Sequence, residues 1–195
     1  DWHPVTTSRP SPMRFLQAYQ WAIDGGAEEI VVATLSAAMS ATFESAVMAA
    51  KECDTPVRVV DSGTIAMGLG FAVISGAEAA DRGADADAVA RVIEDRARAS
   101  SVFFYVDTLE YLRRGGRIST ARAAVGQALK VKPLLQVVDG HVSPLEQVRT
   151  AGRALGRLEE LAVAAAGSDE VDIAVQHLAS PDRASALAAR LRDRL

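Results

Sequence analysis

Hydroxyl side chains are the chemistry this sequence concentrates. Thr6, Thr7, Ser8 and Ser11 crowd the segment before one helical pattern, and Ser36, Ser40 and Thr42 crowd the segment before another. A helix start offers unpaired backbone N–H groups and the positive end of a dipole, so hydroxyl donors placed there suit a carboxylate or phosphate. Both clusters are expected at strand exits, where ligands of open α/β sheets bind. The competing reading makes each residue an ordinary N-cap. Taken alone, the pattern points to a small anionic ligand and no further.

Other chemistries find little support. No Gly-x-x-x-x-Gly-Lys occurs, and Gly68-Leu69-Gly70 continues into Phe71, Ala72 and Val73, so neither a phosphate loop nor a dinucleotide fingerprint is present. His3, His141 and His177 stand in no catalytic pattern, and a structural role is favoured even for His177. The single cysteine, Cys53, leaves no internal disulfide and no cysteine metal cluster, so a cytoplasmic setting without a cofactor or metal is expected. A net charge of −4 argues against general nucleic-acid binding. No apolar run approaches the roughly 20 residues of a membrane span, and the polar, proline-rich opening is unlike a signal peptide.

Arg117 follows Gly115-Gly116, which read as a glycine C-cap. A guanidinium there can pair with a carboxylate or simply face water. Arg113, Arg114, Arg117, Arg122, Lys130 and Lys132 form the basic stretch, read as a solvated face or, alternatively, a surface for an acidic partner.

The elements that must position these groups follow from periodicity. Ser11-Pro12 opens a helix with Phe15, Leu16, Tyr19 and Ile23 on one face, stopped by Gly25-Gly26. Glu29–Leu35 and Val57–Val60 are short apolar strands flanking a helix from about Ala41 to Glu52. A Gly- and Ala-rich helix over Ile65–Arg82, a second opened by Asp85 and carrying Val89, Val92 and Ile93, and a strand over Val102–Val106 continue the alternation. Ile65, Met67, Leu69, Phe71 and Val73 are read mainly as core, with contact to an apolar ligand as the alternative.

A short helix over Leu109–Arg114 and another over Thr120–Leu129 come next. Leu134–Val138 and His141–Val148, joined by Asp139-Gly140, form an antiparallel hairpin with a type I′ turn. A helix over Thr150–Ala166, a strand over Val171–Leu178 and a helix from Pro181 complete the chain. The expected fold is α/β in two domains, 1–107 with a parallel-type sheet and 108–195, smaller and mixed, with the antiparallel hairpin.

Thr7-Ser8-Arg9-Pro10-Ser11 resembles the Thr-Ser-Gln-Pro-Ser motif of the DegV family. Leu35 to Thr42 resembles its Ser-Ser-x-x-Ser-Gly-Thr loop, and Asp61-Ser62 its Asp-Ser. Asp107 to Ser119, Lys132-Pro133, Asp139-Gly140 and Val148-Arg149-Thr150 resemble further family stretches, in order and over nearly the whole chain. Arg9 departs from Gln and Ala41 from Gly. The latter matters if the loop needs a conformation that glycine alone adopts cheaply. The family's opening Asp-Ser-Thr strand and its C-terminal His-containing segment have no counterpart, so both domains are expected to be incomplete at those ends.

The resemblance implies a two-domain α/β protein that is not an enzyme and binds a long-chain fatty acid between its domains. It implies that Thr7 or Ser8, with Ser40, hydrogen-bonds the carboxylate. Thr42 belongs to the same loop, Asp61 and Ser62 line or brace that end, and Arg117 joins the polar network. Some members of the family serve as the fatty-acid-binding subunit of bacterial fatty acid kinase, which makes an ATP-binding kinase subunit the expected partner. Two rivals remain: an enzyme or phosphotransfer component acting through a histidine on a dihydroxyacetone-like substrate, and a trimmed interaction domain.

Overall fold

The computed structural model describes residues 7–118 and 131–195. The chain divides into two compact units, Asp1–Val102 with Val138–His141, and Phe103–Val137 with Val142–Leu195.

In the first unit the order is α1 (Pro12–Asp24), β1 (Ile30–Thr34), α2 (Thr42–Lys51), β2 (Val57–Asp61), α3 (Ala66–Asp81) and α4 (Ala86–Ala99). Pro12 opens α1, where its missing N–H costs nothing, and the chain leaves through Gly26 at φ 92. Strands β1 and β2 are parallel, in register from Ile30 beside Val57 to Thr34 beside Asp61. That register brings both strands to an end at one level, so the segments beginning at Leu35 and Ser62 leave the same edge of the pair. Asp85 caps α4 by accepting from the Ala88 N–H at 2.7 Å.

The core of this unit is thin-walled on one side. Helix α3 turns Gly68, Ala72, Gly76 and Ala79 inward, against Val89, Ile93 and Ala97 of α4 and Val60 of β2. The expectation that Ile65, Met67, Leu69, Phe71 and Val73 are mainly core is corrected here. The first four are half-buried and Val73 is exposed. Residues two apart step around a helix by about 200° and cannot share one face, whereas the small residues recur at the helical period.

The second unit contains β3 (Phe103–Tyr105), α5 (Glu110–Arg114), most of β4 (Lys132–Val138) and β5 (His141–Val148), α6 (Ala151–Ala166) and α7 (Pro181–Arg192). Its sheet has the order β3-β4-β5, with β3 antiparallel to β4 from Phe103 beside Gln136 to Tyr105 beside Leu134. Leu134 and Leu135 are both fully buried, as befits a central strand covered on both faces. Asp139 at φ 49 and Gly140 at φ 76 make the expected hairpin turn. Thr150 caps α6 through the Arg153 N–H. Between α6 and α7, Glu159 holds Arg190 at 2.6 Å and Arg194 at 2.9 Å.

Two sequence expectations need correction. The strand over Val102–Val106 shortens to three residues and joins the antiparallel sheet rather than extending the parallel pair. No strand is formed over Val171–Leu178, and Val171, Ile173 and Leu178 are exposed. Alternating apolar residues make a strand only when a neighbour supplies ladder hydrogen bonds, and among the described residues none does. The helix expected over Thr120–Leu129 lies outside the described residues.

Candidate functional site

The buried polar side chains among the described residues are all hydroxyls: Thr34, Ser36, Thr42, Ser45, Ser62 and Thr64. They gather where β1 and β2 end and α2 begins. Buried hydroxyls need partners, and backbone carbonyls supply them here: Thr34 Oγ1 donates to Val60 O, Ser36 Oγ to Gly140 O and Ser45 Oγ to Ala41 O. The Ser62 N–H donates to Thr34 O at 3.2 Å and the Ser36 N–H to Thr64 O at 2.9 Å, continuing the parallel pairing past the strands.

Asp61 ties the two loops together. Its Oδ1 accepts from the Ala37 N–H and the Gly63 N–H, each at 3.0 Å. Ser62 Oγ accepts from the Thr64 N–H and donates to Thr64 O, both at 3.3 Å. Asp61 and Ser62 therefore spend these polar atoms on backbone, as braces of the loop.

Ser40 and Thr42 stand differently. Ser40 Oγ and Thr42 Oγ1 lie 2.8 Å apart, and either can donate. Two hydroxyls sharing one such bond use one hydrogen between them and leave the other for a third group. The residue between them, Ala41, is the N-cap of α2 and offers no capping side chain, so the first turn of α2 is left to be satisfied from outside. Ala41 sits at φ −72, so the loop here does not demand the glycine of the family motif.

The remaining sequence candidates are placed as follows. Thr7 and Ser8 are exposed in the stretch before α1, and among the described residues no hydrogen bond joins them to the hydroxyl cluster. Arg117 belongs to the second unit and is exposed. Its backbone N–H donates to Leu112 O at 2.9 Å and the Gly116 N–H to Arg113 O at 3.0 Å, the glycine C-cap expected from sequence, with Gly116 at φ 73. The Arg117 guanidinium donates to Gly115 O. In the basic stretch, Lys132 bonds Asp107 and Arg114 bonds Glu110. Arg122 and Lys130, like Thr6 and His3, lie outside the described residues. His177 is exposed, and its Nδ1 accepts from the Ser180 N–H at the start of α7, which gives it a structural task.

Two features were not singled out from sequence. Ser36, read only as one of a cluster, is 1 % exposed and its Oγ donates to Gly140 O at 2.7 Å, within the first unit. The Asp139-Gly140 signal was visible, but only as a turn. A cavity of about 490 Å³ lies between α1 and the loop after α2, lined in part by Met13, Leu16, Ile23 and Cys53. It is at the far end of α2 from Ser40 and Thr42, and is not the hydroxyl site.

Fold and site define an α/β protein with a hydroxyl-lined edge on a parallel strand pair and, among the described residues, no helix long and apolar enough to cross a membrane. The chain belongs to the DegV family, as the motifs suggested: the family model described as "Uncharacterised protein, DegV family" matches residues 3–195. It is 56% identical over 192 residues to a DegV domain-containing protein of Streptomyces coelicolor, covering 98% of this chain and 68% of the relative. The crystal structure of a DegV family protein from Corynebacterium glutamicum matches with a TM-score of 0.89 at 30% identity, over 97% of this chain and 73% of that one. A DegV family protein from Thermus thermophilus, described for its fatty acid binding, matches with a TM-score of 0.74 at 33% identity, over 84% of this chain and 58% of that one.

Proposed function

We propose that this chain binds one long-chain fatty acid and seats its carboxylate on Ser40 and Thr42 at the start of α2. The observation that carries the reading is the 2.8 Å Ser40–Thr42 pair, with one hydroxyl hydrogen to spare beside an uncapped helix start. Kinship with the Thermus thermophilus protein supports the choice of a fatty acid among anions. Thr7 and Ser8 join the head-group network on this reading, and Asp61 and Ser62 hold the loop in shape.

The energetics divide the work. Burying a tail of about 16 carbons gains roughly 0.8 kcal/mol per methylene, on the order of 11 kcal/mol before ordering costs. Each hydrogen bond to the charged head adds about 1.5–3 kcal/mol. The tail supplies the affinity, and the hydroxyls select a carboxylate over an ester. The protein is a carrier rather than an enzyme, acts in the cytoplasm without a cofactor, and presents its ligand to the ATP-binding subunit of a fatty acid kinase.

Native mass spectrometry of protein purified from bacteria tests this. One bound fatty acid per chain is expected, and a folded, lipid-free protein that takes up no palmitate refutes the carrier reading.

A further inference from the structure

We propose that Ser36 is the positioning residue of the head-group loop: its buried hydroxyl clamps the Asp139-Gly140 turn to the strand-exit loop and so fixes where Ser40 presents its own hydroxyl. The inference rests on the fatty-acid reading and goes beyond it by giving the decisive alignment to a residue that touches no ligand.

Ser36 uses its polar groups in three directions. Its N–H donates to Thr64 O at 2.9 Å, anchoring it to the exit of β2. Its carbonyl accepts from the Met39 N–H at 3.0 Å and the Ser40 N–H at 3.1 Å, so the turn that ends on Ser40 is wound on Ser36 itself. Its Oγ accepts from the Ala38 N–H at 3.2 Å and donates to Gly140 O at 2.7 Å. The last distance is at the usual value for a hydroxyl donor. At 1 % exposure, water cannot replace either partner if the hydroxyl is lost.

Gly140 is shaped for the same contact. It is buried, sits at φ 76, and a β-carbon on it would lie 2.7 Å from Ser36 Oγ. Glycine is thus required twice, by the turn and by the approach of the serine. A backbone carbonyl 104 residues from Ser36 in sequence thus helps to set the loop that carries Ser40.

The test measures palmitate affinity, the palmitate-to-methyl palmitate preference and the melting temperature for the full chain and for Ser36→Ala, Gly140→Ala and the double variant. Wild-type protein that ignores palmitate would sink the fatty-acid reading itself. Given a binding wild type, folded Ser36→Ala is expected to lose about tenfold or more in palmitate affinity. Its preference for the free acid should shrink, because Ser40 is misplaced while the tail contacts remain. Gly140→Ala should do the same, and its effect on affinity should be smaller when Ser36 is already alanine, since the contact with Oγ is then gone and only the strain of an alanine at positive φ remains. Folded Ser36→Ala with wild-type affinity and preference overturns the proposal. Should Ser36→Ala fail to fold, Gly140→Ala decides by the same two readings.

Discussion

Gly76 on α3 approaches Ile93 on α4 so closely that a β-carbon on the glycine would lie 2.5 Å from Ile93 Cγ1. Ile93 is 3% exposed and packed among Val89, Ala72 and Val60, so it has little room to yield. Gly76→Val is therefore expected to destabilise the chain by about 1–3 kcal/mol through overpacking. Adding Ile93→Ala should recover part of that loss. Calorimetry checks both, and a single variant that melts with the wild type would mean the two helices separate freely.

Ser40→Ala removes one member of the hydroxyl pair, and Thr42→Val replaces the other with a side chain of matching shape. If the pair holds a carboxylate, each change should weaken palmitate binding by about 1.5–3 kcal/mol, the range for a hydrogen bond to a charged group. Binding of methyl palmitate, which presents no anion, should change far less. Calorimetric titration of both ligands separates the two effects. Equal losses for acid and ester would remove the carboxylate from this position.

Much of this was legible in the sequence, and the exceptions have physical causes. Short β-branched runs at Ile30–Thr34 and Val57–Asp61, the Asp85 cap and the Asp139-Gly140 turn are local signals, and each element forms where its residues predict. Val171–Leu178 carries a similar alternation and forms no ladder, because pairing depends on a neighbour that periodicity cannot supply. Phe103–Tyr105 is a strand, but which sheet it joins is decided by register with β4, another non-local matter. At the site, hydroxyl-rich loops were visible. The division of labour between Ser40 with Thr42 and the bracing Asp61 and Ser62 was not, since it depends on which backbone groups face each side chain.

Tyr19 offers a spectroscopic check on the packing of α1. Its ring is 2% exposed and its hydroxyl donates to Ala46 O at 3.1 Å. Burial disfavours the phenolate, with Cys53 adding to the effect, and the hydroxyl is pushed up to about 12. Because the folded value lies above the unfolded one of 10.0, the contribution is complete below 10.0 and is lost as pH rises towards 12. Ultraviolet titration should show one phenolate appearing late, and Tyr19→Phe should abolish that step. An unchanged late step in the variant would assign it to another tyrosine.

Acid should loosen the α6–α7 pairing through Glu159. Hydrogen bonds from Arg190 and then Arg194 hold its carboxyl below the ordinary value of 4.5. A depressed folded value means that stabilisation is present above 4.5 and is lost as pH falls through the folded value. Glu146, held down by the Arg157 guanidinium, and Asp107, held down by Lys132, act in the same direction within the same unit. Glu159→Gln keeps the shape but carries no charge to lose, so its melting temperature should fall less steeply than the wild type's below 4.5. Added salt should shrink the difference between the two, because these pairs are partly exposed and screened. Parallel acid limbs for the two proteins at low salt would show that the Glu159 pairing contributes nothing to the acid response.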